Sequence, residues 1–283
     1  MSNLLDIFEF AAGSVRGTSH ESVRKPNQDA YTYKLTENCL VGIVCDGCGD
    51  PSSMHSEVGA HLGTKLLAAS LLEARSTVGL KKLERARANT LAAISTLACD
   101  MSTRYNIIDL HLTLRNYFLF TAVCFYIDPE VSYFFSIGDG ALWVNGEQIA
   151  IGPFPNNAPP YMCYELMDSS MLTSDPGCLK FQLRKEIPTA ELDSFLIGCD
   201  GVLDLAKLGT TTMPTGREYI GSIDQFWIQD KYFQNPEIVN RRLYLINKDH
   251  KRLNEDGTHS TTWGKLRDDT TLISGRRIKI QDD

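Results

Sequence analysis

Two tripeptides echo each other along the chain, Cys45-Asp46-Gly47 and Cys199-Asp200-Gly201. Each closes an apolar run, Leu40-Val41-Gly42-Ile43-Val44 in one case and Phe195-Leu196-Ile197-Gly198 in the other. A short apolar run reads as a buried strand, and Asp-Gly at its end reads as a tight turn. Each strand therefore delivers a carboxylate to the rim of a core, beside a glycine that lets a ligand approach the backbone. Two carboxylates brought together there repel each other and resist ionisation. A bound cation removes the conflict, so divalent-metal chemistry leads.

The same pattern recurs. Asn27-Gln28-Asp29, Gly138-Asp139-Gly140 and Asp268-Asp269 also stand at strand ends or turns. Any one of them is ordinary loop punctuation; their joint occurrence beside apolar strands carries the argument. Hard cations such as Mg²⁺ and Mn²⁺ take oxygen ligands, and no histidine or cysteine cluster has zinc spacing. Two such ions sharing a water can clamp a phosphoryl group for in-line attack. A phosphate also calls for a planar cationic fork, and Arg24, just ahead of Asp29, is the candidate. Cys45-Asp-Gly-Cys48 matches a CxxC pattern. It lacks a second CxxC and a redox-type βαβ unit, so a structural reading outweighs zinc or redox.

The elements that must position these residues follow from periodicity. Strands are expected at 7–15, 30–35, 39–45, 118–127, 131–137, 141–144, 180–187, 193–199 and 270–274. A helix is expected from the Pro51 loop to about Ala74, with Val58, Leu62, Leu66, Ala69 and Leu72 as its buried stripe. A second runs from about Leu80 to Met101, with Leu83, Thr90, Leu91, Ile94, Leu97 and Ala98 inward, and a third over 236–246. Gly152–Pro176 holds five of the eleven prolines and suits neither a regular helix nor a central strand; the sharper reading is a flap beside the site. With no repeats or linkers, 1–283 reads as one α+β domain. Trp143, Trp227 and Trp263 read as core or loop anchors, and Asp204 as a helix-start residue.

Composition narrows the class. The 283 residues are 43% hydrophobic and carry a net charge of -7, which argues against a nucleic-acid footprint. No stretch approaches a membrane span, and residues 1–10 do not form a signal peptide. A cytoplasmic protein with free, mostly buried thiols is expected.

Arg24-Lys25-Pro26-Asn27-Gln28-Asp29, Asp46-Gly47-Cys48-Gly49, Gly138-Asp139-Gly140, Asp200-Gly201-Val202-Leu203-Asp204 and Asp268-Asp269-Thr270-Thr271 resemble, in order and spacing, the motifs of the metal-dependent type-2C (PPM) serine/threonine protein phosphatases. The match spans about Gly13 to Ile273, and Ser14–His20 resembles a bacterial branch. The resemblance implies a four-layer αββα sandwich, two antiparallel β-sheets flanked by helix pairs. It implies two Mn²⁺ or Mg²⁺ ions and a metal-activated water that attacks phosphoserine or phosphothreonine directly. Asp46 would bridge the ions, with the Gly47 carbonyl completing one and Asp200 and Asp268 holding the other. Asp29 would act through a metal-bound water, Arg24 would bind the phosphate, and Asp139 would belong to a third site. The variable flap would fall at about 152–178. The partner would be a phosphorylated protein made by a cognate serine/threonine kinase.

Three departures matter. Gln28 stands where many relatives have glutamate and contributes no charge. Cys48 replaces a histidine thought to serve some members as general acid, which disfavours poor leaving groups. Asp269 takes a position where asparagine is frequent and reads as a supporting group. His20 could supply the missing proton, although a structural hydrogen-bonding role is the commoner fate of a lone histidine. Gln28 and Cys48 together motivate a second reading: a catalytically weak phosphatase-like sensor or scaffold that binds phosphoprotein.

Overall fold

The strands that carry the motifs are Phe8–Val15 (β1), Asp29–Thr36 (β2), Cys39–Gly47 (β3), Phe120–Ile127 (β4), Val131–Ile137 (β5), Ala141–Val144 (β6), Glu147–Gln148 (β7), Gln182–Pro188 (β8), Ser194–Gly198 (β9), His250–Leu253 (β10), His259–Thr262 (β11) and Thr270–Arg277 (β12). A computed structural model describes residues 3–51, 53–104, 109–155, 158–167 and 176–278. One sheet has the order β1-β12-β9-β6-β7, the other β2-β3-β4-β5-β8, and β10-β11 form a separate hairpin. Every ladder is antiparallel.

Alternation along the strands decides the layers. In β3, Leu40 and Val44 enter the core between the sheets, while Cys39, Val41, Ile43 and Cys45 enter a second core on the other face. β4 repeats this, with Val123, Phe125 and Ile127 on one side and Ala122, Cys124 and Tyr126 on the other. Strands buried on both faces lose the polar half of the usual pattern, which is why they read as continuous apolar runs. Between the sheets, the Phe125 and Phe195 rings meet edge to face at 4.7 Å, and Phe134 lies 5.2 Å from Phe195. Such pairs add to area burial.

Helices cover both outer faces. Ser56–Glu73 (α2), Lys81–Arg104 (α3) and Leu110–Tyr117 (α4) pack on the β2–β3–β4 sheet, following the short Thr18–Ser22 (α1). Gly201–Lys207 (α5), Gln225–Ile228 (α6), Lys231–Gln234 (α7) and Ile238–Asn247 (α8) join the other core through Val202, Phe226, Tyr232, Val239 and Leu243. This is the four-layer αββα arrangement that the resemblance implies.

The expected stripe of α2 sits off its true inner face. Val58, Leu62, Leu66 and Leu72 are only partly buried and Ala69 is exposed. The innermost positions are Gly59, Ala60, Gly63, Thr64, Leu67 and Leu71. A Cβ on Gly59 would stand 2.3 Å from the Tyr117 carbonyl oxygen, and one on Gly63 2.5 Å from the Phe120 ring. The helix lies so close that small residues face inward and the bulky ones flank them. In α3 the expected stripe holds except for Leu97, which is exposed. Trp143 and Trp227 are buried, whereas Trp263 is 67% exposed and anchors nothing in the core.

Candidate metal and phosphate site

Antiparallel order gathers the motifs at one edge of the sandwich. The start of β2 lies beside the end of β3 (Asp29 opposite Asp46), and the end of β3 beside the start of β4 (Asp46 opposite Thr121). In the facing sheet, the end of β9 lies beside the start of β12 (Gly198 opposite Leu272) and of β6 (Gly198 opposite Ala141). Asp139 sits in the turn that carries the chain from β5 in one sheet to β6 in the other. That turn needs glycine twice: Gly138 has φ +77° and Gly140 φ +140°.

Period two then aims the carboxylates. Asp46 continues the face of β3 that bears Leu40 and Val44, so its side chain emerges between the sheets just past the apolar core. Asp29, directly across, has its Cβ about 4.5–5.5 Å away. Asp200 precedes α5 and Asp268 precedes β12. A cleft of about 610 Å³ opens here, lined among others by His20, Gln28, Asp46, Gly47, Asp139, Asp200 and Asp268. The flap residues Pro159, Tyr161, Tyr164 and Met167 form part of its wall. Residues 156–157 and 168–175 of the expected flap lie outside the described residues. Arg87, buried on α3, ties this wall to the helix layer through an ion pair with Glu165.

The electrostatics are those of a crowded set of anions. Asp46 is pushed well above the usual carboxylate range, first by burial and then by the charges of Asp29, Asp200, Asp139 and Asp268. Asp29 is pushed up to about 8, chiefly by burial; the nearby Cys199 thiol and Thr271 hydroxyl favour the anion without offsetting that cost. Asp200 rises to about 6 through burial and the charges of Asp139 and Asp268, and Asp139 rises by burial. Both Asp29 oxygens and the Gln28 Oε1 are buried without a hydrogen-bond partner among the described residues. A buried acceptor left unpaired is costly. Carboxylates, an amide oxygen and the Gly47 carbonyl are a hard donor set, and a divalent cation with its water shell would satisfy these orphaned oxygens. The residues present fit the group.

Asp269 behaves oppositely. Its carboxylate is buried and fully engaged, accepting from Gly17 N at 2.7 Å, Gln28 N at 2.6 Å and His20 Nδ1 at 2.9 Å. It staples the end of β1, the start of β2 and α1 to the start of β12, the supporting role expected of it. His20 has its structural bond and also stands on the cleft wall. The Gln28 Nε2 donates to the Cys48 carbonyl at 3.1 Å and to the Ser56 Oγ. Cys48 is buried under the Tyr161 hydroxyl, and Cys45 is wholly buried with its thiol pushed well up by burial, the opposite of a reactive thiolate. Asp204 lies in the first turn of α5, paired with Lys207 at 2.8 Å.

Arg24 lies on the segment between α1 and β2. It is exposed, has φ +58°, and is not among the residues lining the cleft. Arg115, in the last turn of α4, is among the residues lining the cleft. The sequence reading passed over it; the signal was an arginine a few residues before the β4 strand that pairs with Asp46.

A two-sheet sandwich that gathers hard oxygen donors at one open edge is a framework for divalent-cation hydrolysis. The sequence matches the Protein phosphatase 2C family over residues 16–228. No curated protein matches it in sequence. Among solved structures, a bacterial serine phosphatase variant aligns with a TM-score of 0.54 at 16% identity, covering 96% of this chain and 99% of its own. Stp1, a serine/threonine phosphatase from Staphylococcus aureus, aligns at 0.48 with 17% identity and 96% of each chain covered. RsbX in complex with magnesium aligns at 0.45 with 14% identity, again over 96% of each. The chain belongs to the protein phosphatase 2C family, a family of metal-dependent phosphatases. Among the described residues, no helix is long and apolar enough to cross a membrane.

Proposed function

We propose that the protein is a metal-dependent phosphatase acting on phosphoserine and phosphothreonine in proteins, with Mn²⁺ or Mg²⁺ at a two-ion centre and a third ion near Asp139. One observation carries the reading: a buried Asp29 carboxylate with no hydrogen-bond partner in good geometry among the described residues, set directly across from a second carboxylate at the rim of the cleft. When bound, the ions supply a water of lowered pKa and neutralise phosphoryl oxygens. Asp46, the Gly47 carbonyl, Asp200 and Asp268 would hold the ions. Asp29 and the Gln28 amide oxygen, both buried with open acceptors, would accept from water around the ions. The flap and sandwich edge confine the phosphorylated side chain, and a cognate kinase supplies such substrates. The pairing of β1 with β12 along their whole lengths supports one domain over 1–283.

The test is hydrolysis of an aryl phosphate and of phosphoserine and phosphothreonine peptides with Mn²⁺, then with chelator. Activity should vanish on chelation. Outer-shell residues already cost about 10–100-fold when changed, so Asp46→Asn should cost at least about 100-fold. Near-wild-type turnover in that variant would remove Asp46 from the centre. Cys48, in place of a histidine, favours the sensor reading over the enzyme. Tight phosphopeptide binding by calorimetry, indifferent to Mn²⁺ and without phosphate release, would decide for it.

A further inference from the structure

The β10–β11 ribbon is attached at the mouth of the cleft. Every residue of its two strands is exposed or half-buried. A two-stranded ribbon with no covering layer is marginally stable in water, so its base must hold it. Asn247 does so from the end of α8: its buried side chain accepts from Leu266 N at 3.0 Å and donates to the Arg16 carbonyl at 2.7 Å. Lys265 N donates to the Ile246 carbonyl at 3.1 Å, and Gly264 N to the Asp249 carboxylate at 3.0 Å. The same base meets the site. The Leu266 and Arg267 carbonyls accept from Thr18 N and Ser19 N at 3.0 Å each, and Ser19, His20 and Asp268 line the cleft. The ribbon is an arm fixed to the rim.

Its surface contrasts with the chain as a whole. The protein carries a net charge of -7, yet the base of the arm bears Lys248, Lys251, Arg252, Lys265 and Arg267. One carboxylate stands among them, Asp249, and it is engaged by Gly264 N. The other two acids, Glu255 and Asp256, sit at the far turn, where Asp256 accepts from Thr258. Among the described residues, the side chains of Lys251, Arg252 and Arg267 make no hydrogen bond or ion pair. On one face Lys251 lies opposite Thr261, and Leu253 opposite His259. Leu253 is 63% exposed, and Trp263, the residue after β11, is 67% exposed. Solvation accounts for the cations; Leu253 and Trp263 on the same short ribbon add the apolar half of a contact surface. The complement of such a surface is an acidic polypeptide that also carries apolar side chains. Thr261 and Trp263 precede Asp268 by seven and five residues, which keeps them within roughly 18–25 Å of it. An extended peptide with its phosphorylated residue in the cleft covers that span in about five to seven residues.

We propose that the β10–β11 arm is a substrate-docking element, binding an acidic flank about five to seven residues from the phosphorylated side chain. The proposal rests on the phosphatase reading of the cleft and narrows its substrate class. Two phosphopeptides of equal length test it, one with glutamates and a leucine in that flank, the other with glycine and serine there. They are compared in wild type and in the double variant Lys251→Glu, Arg252→Glu; both positions are exposed, so the variant keeps its fold. With Mn²⁺, the wild-type KM should be about threefold to tenfold lower for the acidic peptide, as a few exposed charge contacts provide. The variant should lose that preference and keep kcat and its aryl-phosphate kinetics. Salt at about 0.5 M should erase the preference in wild type. Fluorescence anisotropy of the labelled peptides in chelator reads the same contact with the chemistry switched off. Equal KM and equal affinity for the two peptides in wild type, or a preference that survives charge reversal or high salt, would overturn the docking role and leave the phosphatase reading intact. A protein that hydrolyses nothing yet holds the acidic peptide through Lys251 and Arg252 would keep the arm and remove that reading. Binding to vesicles of phosphatidylserine and phosphatidylcholine with no peptide preference would assign the surface to an anionic membrane and overturn the proposal.

Discussion

Gln28 shows how one side chain can serve the fold and the site at once. Its Nε2 donates to the Cys48 carbonyl and Ser56 Oγ, and its Oε1 is left open in a buried position. Glutamate would place a charged acceptor against the Cys48 carbonyl and lose both donations. Gln28→Glu should therefore destabilise the metal-free protein by ~1–3 kcal/mol while tightening Mn²⁺ binding, because the new charge opposes the ions. Urea unfolding with chelator, beside a Mn²⁺ titration, checks both halves; a variant as stable as wild type without metal would show that the amide donations contribute nothing. At this scale Asp46 and Asp200 were legible because Asp-Gly closing an apolar run marks the end of a buried strand. Arg115 was not, because nothing local marks an arginine as facing a cleft built from the other end of several strands.

At the scale of elements, the inner face of α2 is the informative case. Hydrophobic periodicity marks the bulky residues, yet close packing selects the small ones. Gly59→Ala should gain helix propensity of about 1 kcal/mol, but the added methyl meets the Tyr117 carbonyl, which is backbone and has nowhere to yield. Overpacking of this kind costs about 1–3 kcal/mol, so the net change should be destabilising. A rise in the urea midpoint would mean that the helix can slide outward. The same conflict of signals hid other elements. Leu110-His111-Leu112-Thr113-Leu114 alternates like a strand but forms α4, started by Asp109, whose side chain accepts from His111 N and Leu112 N. The β10–β11 hairpin was announced only by Asp256-Gly257, with φ +80° at the glycine. The sheet strands, apolar on both faces, were readable nearly to their ends.

For the whole molecule, the site is a stability liability whose sign depends on metal. In the unfolded chain Asp29 releases its proton near pH 4; in the fold it keeps the proton to about pH 8, chiefly because it is buried. Below about pH 4 both states hold the proton and there is no slope. Between about 4 and 8 the folded state binds more protons than the unfolded, so stability falls as pH rises, by up to ~1.4 kcal/mol per unit for a full proton. Asp200, raised to about 6, adds to the fall over the lower part of that window. Above about 8 both states are ionised and the slope ends. Chelated protein should thus melt at a lower temperature at pH 8 than at pH 5. Mn²⁺ should restore stability increasingly as pH rises, since it binds the ionised carboxylates. Asp29→Asn isolates the cause: an amide has no proton to lose, so the metal-free variant should be more stable than wild type at pH 8 and show a flatter profile. Its gain from Mn²⁺ should be smaller. Parallel melting curves for the two proteins across this range in chelator would mean that Asp29 is already ionised without metal, and that the fold satisfies its oxygens by some other route.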